Sequence, residues 1–313
     1  MPKVEYFKKD PSNDDIPTYF TIKTKYIQEK ILKLTEFDKC DILEQKDEVE
    51  PMRNYGKWIT AVLVTIAILV GLFYPRDRDK DRDPDTILPV VEKIPENDYV
   101  LENFYWEDGF LHYKDRNYMI GIDVSTHQEE VDWQSVADSG VEFAILRVGF
   151  RGSTAGSLYE DDYFARNLIG AKNVGLKVGV YFFSQAMNEE EAREEARYAC
   201  DLLDGTYLEL PVFYDWEYLE GRVPEPWLMP MTQCAVAFCE EIEDEGYDAG
   251  VYFNQDYGYN YLDLREIDQY ALWLAEYGSI PEFPYLYQCV QYTDSGSIPG
   301  IEGPVDLNLM FIE

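Results

Sequence analysis

The chain has 313 residues, 46% apolar and 15% aromatic, enough to bury a sizeable core and too apolar for a wholly disordered acidic chain. Asp and Glu outnumber Lys and Arg by 61 to 27, a formal net charge of −34, so there is no basic surface of the kind from which DNA or RNA binding draws its affinity. Five cysteines do not make a disulfide scaffold, and two histidines leave little for a histidine metal site.

In chain order, residues 1–57 carry 11 basic and 12 acidic side chains and one candidate amphipathic helix near Lys25–Phe37. They read as a tail that carries no recognisable chemistry, with a cytosolic partner as one open use for it. Trp58–Tyr74, WITAVLVTIAILVGLFY, contains no charge. At 17 residues it sits at the short end of the roughly 17–25 that a spanning helix needs. Its terminal Trp58 and Tyr74 suit the two interfaces, and Lys57 is placed to snorkel outward. No face of the segment is polar, which argues against a buried core helix, and the 57 mostly polar residues before it argue against a cleavable signal peptide. The expectation is a single-pass membrane anchor. Basic residues within 20 positions number four before it and five after, so charge does not decide its orientation. Arg76–Asp85, RDRDKDRDPD, alternates in sign and buries nothing. With the mixed apolar and turn residues that follow, 75–117 is expected to be a charged stalk and linker of about 40 residues.

From Tyr118 short runs rich in Val, Ile, Phe and Tyr alternate with helical patterns. YMIGIDVS precedes VDWQSVADSG, FAILRVGF precedes DDYFARNLIGAKNVG, and KVGVYFFSQA precedes NEEEAREEARYACDLL. ELPVFYDWE then precedes TQCAVAFCEEIEDEG, and AGVYFN precedes a Tyr-rich turn with a short helix. The chain closes with YALWLAEY, YLYQCVQYT and PVDLNLMFI. Such alternation predicts βα units and a parallel sheet. Gly140, Gly175 and Gly246 stand where helices should end. Five βα units and three further strands count to eight, which predicts an α/β fold: a closed TIM-like barrel over 118–313.

Chemistry in such barrels collects at the carboxyl ends of the strands. Acids sit at several of them: Asp123 ends the first strand, Asp215 and Glu217 end the fourth, and Asp306 lies in the last. Asp215 and Glu217 are two apart, so in an extended strand both point with Phe213 into the barrel, while Tyr214 and Trp216 face the helices. Carboxyls crowded at one mouth cannot all ionise, so one should keep its proton near neutral pH. A protonated acid beside ionised partners is the equipment for cleaving a glycosidic bond. Tyr181, Phe183, Tyr252, Trp273 and Tyr292 are candidate sugar-stacking rings, and Arg147 a candidate substrate contact that reads more readily as an ion-pair partner inside the barrel. His127 reads as structural. No metal-ligand spacing is present and this chemistry needs no cofactor. Cys200, Cys234, Cys239 and Cys289 read as small buried residues, with a disulfide not required.

The motifs GIDVSTHQ, FAILRVG, GLKVGVYFFSQA, DWE, GVYFN, LWLAEY and VQYTDSGSIPGIEGPVDLN, in this order, resemble the glycoside hydrolase family 25 lysozymes over Tyr118–Glu313. The resemblance implies that the barrel is flattened, and that the substrate is the β-1,4 bond between N-acetylmuramic acid and N-acetylglucosamine in peptidoglycan. It further implies Glu217 as general acid, Asp215 as the residue that orients the substrate N-acetyl group, and Asp123 and Asp306 as the rest of an acidic floor. YFF at Tyr181–Phe183 departs from the Y-H-F of many relatives. Peptidoglycan lies outside the membrane, so these implications place the barrel on the extracytoplasmic face of a bacterial cell membrane and the tail in the cytosol. A glycan-binding module without turnover, or a membrane scaffold, would use the same surfaces.

Overall fold

Strand residues alternate between two environments, and that alternation separates two apolar cores. The computed structural model describes residues 93–278 and 280–312. The tail 1–57, the anchor 58–74 and the first part of the stalk lie outside the described residues. Among the described residues no helix is long and apolar enough to cross a membrane.

The elements open with a hairpin, β1 (Phe104–Glu107) and β2 (Phe110–Tyr113). The alternating part begins with β3 (Tyr118–Val124), α1 (Trp133–Asp138) and β4 (Phe143–Arg151), followed by a short β5 (Leu158–Glu160) and α2 (Phe164–Asn173). Next come β6 (Lys177–Ser184), α3 (Glu189–Leu203), β7 (Val212–Trp216), α4 (Met231–Asp244) and β8 (Ala249–Asn254). Two short helices, α5 (Gln255–Asn260) and α6 (Leu264–Ile267), lead to β9 (Ala271–Ala275), β10 (Cys289–Gly296) and β11 (Val305–Phe311). Helix starts are capped locally: Asp132, Asn188 and Asn254 each accept a backbone N–H from the first turn of α1, α3 and α5. Gly140, Gly175 and Gly246 follow α1, α2 and α4 at φ of +98°, +83° and +88°, the left-handed stop that their spacing predicted.

The strands order as β3-β11-β10-β9-β8-β7-β6-β4, and β3 also pairs with β4, which closes an eight-stranded barrel. Neighbours are parallel except around β11, which runs antiparallel to both β10 and β3. Strand β5 adds to β4 outside the ring. Met119, Phe143, Ile145, Phe213, Trp273, Cys289 and Met310 fill the barrel interior as one cluster. Ile122, Leu146, Val180, Val212, Tyr214, Trp216 and Phe253 face outward into the larger core shared with the helices. The interior is full because glycine leaves room for rings. A Cβ on Gly121 would stand 2.3 Å from the Phe143 ring, and one on Gly250 would stand 2.4 Å from the Phe213 ring.

The folded unit starts upstream of the boundary expected at Tyr118. Phe104, Leu111 and Tyr113 of the hairpin are buried in the outer core. Asn97 Nδ2 donates to Phe283 O (2.7 Å) and Tyr285 O (2.9 Å), and the Tyr99 hydroxyl donates to Tyr287 O (2.6 Å). The Tyr99 ring stacks on Phe311 at 4.1 Å between centroids. Residues 93–117 therefore belong to the domain and not to a stalk. Their sequence concealed this because apolar residues were interleaved with the charged turns Glu107–Gly109 and Lys114–Arg116. Cys200, Cys234, Cys239 and Cys289 are free and buried, as read from the sequence.

Candidate active site

Strand polarity brings the four acids to one end of the barrel. Asp123 comes next to last in β3, Asp215 next to last in β7, and Glu217 just past β7. Asp306 lies near the start of the antiparallel β11, where it is paired with Asp123 in register. All four line a single cavity of about 730 Å³. Tyr181, Phe183, Tyr252, Trp273 and Arg147 line it too, as expected. Tyr292 does not. It is fully buried on the outer face of β10, with its ring edge-on to Trp106 at 5.4 Å. The alternation of β10 puts Gln291 inward and its neighbours Val290 and Tyr292 outward. Tyr292 is therefore a core ring and not a sugar platform.

Asp123 is 5% exposed and held on one oxygen: Oδ2 accepts from Gln291 Nε2 and from Asn308 Nδ2, both at 2.8 Å. The Asn308 amide is oriented by the Trp273 indole, whose Nε1 donates to its Oδ1 (2.9 Å). The Gln291 amide is oriented by the hydroxyls of Tyr252 (2.9 Å) and Tyr277 (2.5 Å), which donate to its Oε1. These contacts favour the ionised carboxylate. Burial opposes them and dominates, so the Asp123 pKa rises to about 6, with Glu217 adding to the rise.

Asp215 is equally buried, and its Oδ1 has no hydrogen-bond partner. Burial first, then the charges of Glu217 and Asp123, push its pKa well above the usual carboxylate range, while Arg147 pulls the other way. Burial with the charges of Asp123 and Asp294 lifts Asp306 to about 8. Burial raises Glu217 as well. The carboxyls thus share fewer charges than their number, and their protons belong to the cluster more than to any one residue.

Arg147 fills the ion-pair role. Its Nε and Nη2 both lie 2.8 Å from Asp161 Oδ2, and Asp161 also accepts from Thr126 N (3.0 Å) and Tyr163 N (2.9 Å). This one buried carboxylate therefore ties β4 to the loops on both sides of the cavity. His127 lines the cavity, with its backbone N–H on Ser125 Oγ (3.2 Å). Sequence reasoning missed Gln291, Asn308, Tyr277, Phe150 and Tyr159. Two signals were available: Asn308 is two residues from Asp306 and so on the same side of β11, and Gln291 is the one amide in the run CVQY. Phe150 and Tyr159 stack at 5.2 Å between β4 and β5 on the cavity wall.

Known proteins share both sequence and fold with this domain. The family model Glycosyl hydrolases family 25 matches residues 122–301. The autolytic lysozyme of Clostridium acetobutylicum is 31% identical over 191 residues, which is 61% of this chain and 55% of that protein. This chain thus spans only about half the length of that curated relative. The modular autolysin LytC of Streptococcus pneumoniae, solved in complex with a synthetic peptidoglycan ligand, matches with a TM-score of 0.56 at 25% identity, over 66% of this chain and 52% of that one. A family 25 glycosyl hydrolase of Bacillus anthracis shares the fold, with a TM-score of 0.53 at 22% identity, over 64% of this chain and 92% of that one.

The raised carboxyls make stability depend on pH with a definite sign. Above about pH 4 the unfolded chain has lost these protons while the folded chain keeps them, so stability falls as pH rises from about 4 through 8. Replacing Asp306 by Asn should raise the thermal midpoint at pH 8 and leave it nearly unchanged at pH 4, as read by calorimetry at the two pH values. An equal effect at both would contradict the shift.

From the eight-stranded barrel, the acids at its mouth and the match over residues 122–301, the chain belongs to the glycosyl hydrolases of family 25.

Proposed function

We propose that the protein is a peptidoglycan hydrolase that cleaves the β-1,4 bond between N-acetylmuramic acid and N-acetylglucosamine, with Glu217 as general acid. The observation that carries this reading is the convergence of Asp123, Asp215, Glu217 and Asp306 on one cavity with raised carboxyl pKa values. Glu217 is the least buried member of β7's acid pair, so it is the one that reaches a glycosidic oxygen entering from solvent. In the resting cluster burial keeps a proton available to it.

Asp215 Oδ1, buried without a partner, is an acceptor for the N–H of a substrate N-acetyl group. That hydrogen bond favours the ionised form of Asp215 and leaves the cluster's proton to Glu217. Glu217 gives its proton to the leaving oxygen as the bond from C1 breaks. The carbonyl oxygen of the N-acetyl group, oriented by Asp215, closes onto C1. Water then opens that ring while Glu217 takes the water's proton back, which is a substrate-assisted route. Asp123, fixed by Gln291 and Asn308, and the rings of Tyr252 and Trp273 would hold the sugar. The likeness to an autolytic lysozyme and to an autolysin solved with a peptidoglycan ligand supports this substrate class.

Replacing Glu217 by Gln should lower turnover on purified peptidoglycan by about 10²–10⁴-fold, the usual worth of a general acid, while binding persists. Activity of the native protein should fall as pH rises through a limb above the ordinary Glu value of about 4.3, where the acid loses its proton. Mass analysis of the digest should find muramic acid at the new reducing ends. Glucosamine ends would contradict the bond assignment, and full activity in the Gln variant would contradict the acid.

The same proposal places the domain outside the cell, tethered through residues 58–74. With residues 93–117 in the domain, the linker shortens to residues 75–92, and its 18 residues reach at most about 65 Å at ~3.6 Å each. That still supports a wall enzyme held near its membrane. Protease added to intact protoplasts should remove the barrel and spare epitopes in residues 1–57, whereas a protected barrel would contradict the topology.

A further inference from the structure

The proposed acid has a support behind it that the cavity does not contain. Glu217 lies just beyond β7, where sheet bonding has ended. Its peptide link to Tyr218 is held by two side chains instead. Gln185 Nε2 donates to Glu217 O (2.7 Å), and Tyr218 N donates to the hydroxyl oxygen of Tyr257 (3.0 Å). Both halves of one peptide unit are therefore gripped, from opposite elements, next to the residue whose side chain must aim.

Gln185 is fully buried, and the same Nε2 also donates to Ser184 O (2.6 Å). Its Oε1 is buried without a partner. Turning the amide over would set that oxygen against two carbonyl oxygens, so the orientation is forced. A buried unsatisfied oxygen is costly, and what it accompanies here is the hold on Glu217. The Gln185 backbone is itself pinned: its N–H goes to Glu195 Oε1 (3.3 Å), and its carbonyl accepts from Arg222 Nη1 (2.8 Å).

Those two partners root the grip in α3. Glu195 is buried and accepts from Arg151 Nε (2.6 Å) and Ser184 Oγ (2.5 Å), while Arg222 pairs with both oxygens of Glu191 at 2.5 and 2.9 Å. On the other side Tyr257 sits in the first turn of α5, its own N–H on Asn254 Oδ1 (3.0 Å) and its ring 5.9 Å from that of Trp216.

We propose that Gln185 and Tyr257 are positioning residues for Glu217, clamping the 217–218 peptide so that the carboxyl stays aimed into the partly buried cavity mouth. They touch the acid's backbone and not the substrate. The effect on turnover rests on the muramidase reading. The effect on Glu217 itself does not. Freed from either hold, the strand end relaxes and the carboxyl gains water, so its titration moves toward that of an ordinary Glu.

The test uses the full-length chain with Gln185→Met, which keeps length and removes the donor, and Tyr257→Phe, which removes only the hydroxyl. The titration of Glu217 is followed by carbon NMR on protein labelled at Glu side chains, with E217Q identifying the signal. Each variant should move the Glu217 midpoint to lower pH and shift the alkaline limb of activity with it. On peptidoglycan kcat should fall about tenfold, the rate equivalent of one buried hydrogen bond, with KM within about twofold. The double variant should lose less than the product of the singles, because both hold one peptide unit. Unmoved Glu217 titration in folded variants would overturn the proposal, as would losses that merely follow the thermal midpoint with the pH limb in place. Should Gln185→Met fail to fold, Tyr257→Phe alone decides. A native protein inactive on peptidoglycan would overturn the substrate reading, while the NMR titration still decides this one.

Discussion

Water is scarce at the mouth of this barrel, and four carboxyl groups open onto it. That single constraint organises the site. Burial disfavours charge on each group and every ionised neighbour disfavours it further, so the cluster holds protons that isolated carboxyls would have released. The same burial that weakens the fold at alkaline pH creates the acid that the proposed chemistry needs. Stability is given up at the place where reactivity is wanted, as active sites commonly require.

The rest of the architecture keeps this cluster dry and in place. Phe143 and Phe213 plug the interior below it, and Gly121 and Gly250 are the residues that let those rings in. Gln291 and Asn308 fix one oxygen of Asp123, and are themselves oriented by Tyr252, Tyr277 and Trp273. A buried polar network of this kind is tolerable only when its members are paired. The exceptions, Asp215 Oδ1 in the cavity and Gln185 Oε1 behind Glu217, stand beside the pair of residues proposed to do the chemistry. Both cases match the general pattern in which local rules break at functional positions.

Much of this was legible in the sequence because it depends on period and position. Alternation along FAILRVGF and LPVFYDWE, helix caps such as Asn188 and stops such as Gly175 led to the barrel's element order. The two-residue spacing of Asp215 and Glu217 set both on the inner face. What escaped depends on partners far away in the chain. Tyr292 looked like a site ring because it neighbours Gln291, yet one step along a strand reverses its face. Gln291 and Asn308 matter through hydrogen bonds to Asp123 across 168 and 185 positions, which no local pattern reveals. The hairpin at Phe104–Tyr113 was hidden for the same reason: its cover is the distant segment around Phe283–Tyr287 and Phe311.

The most direct measurement of the central claim is infrared difference spectroscopy of the carboxyl stretch near neutral pH, comparing the native protein with the Asp215→Asn, Glu217→Gln double variant. Protons kept by the crowded cluster predict a protonated-carboxyl band in the native protein that weakens in the variant. Buried Glu195, with its pKa raised to about 7, contributes equally to both spectra and cancels. Identical spectra, with every cavity carboxyl ionised, would contradict the account.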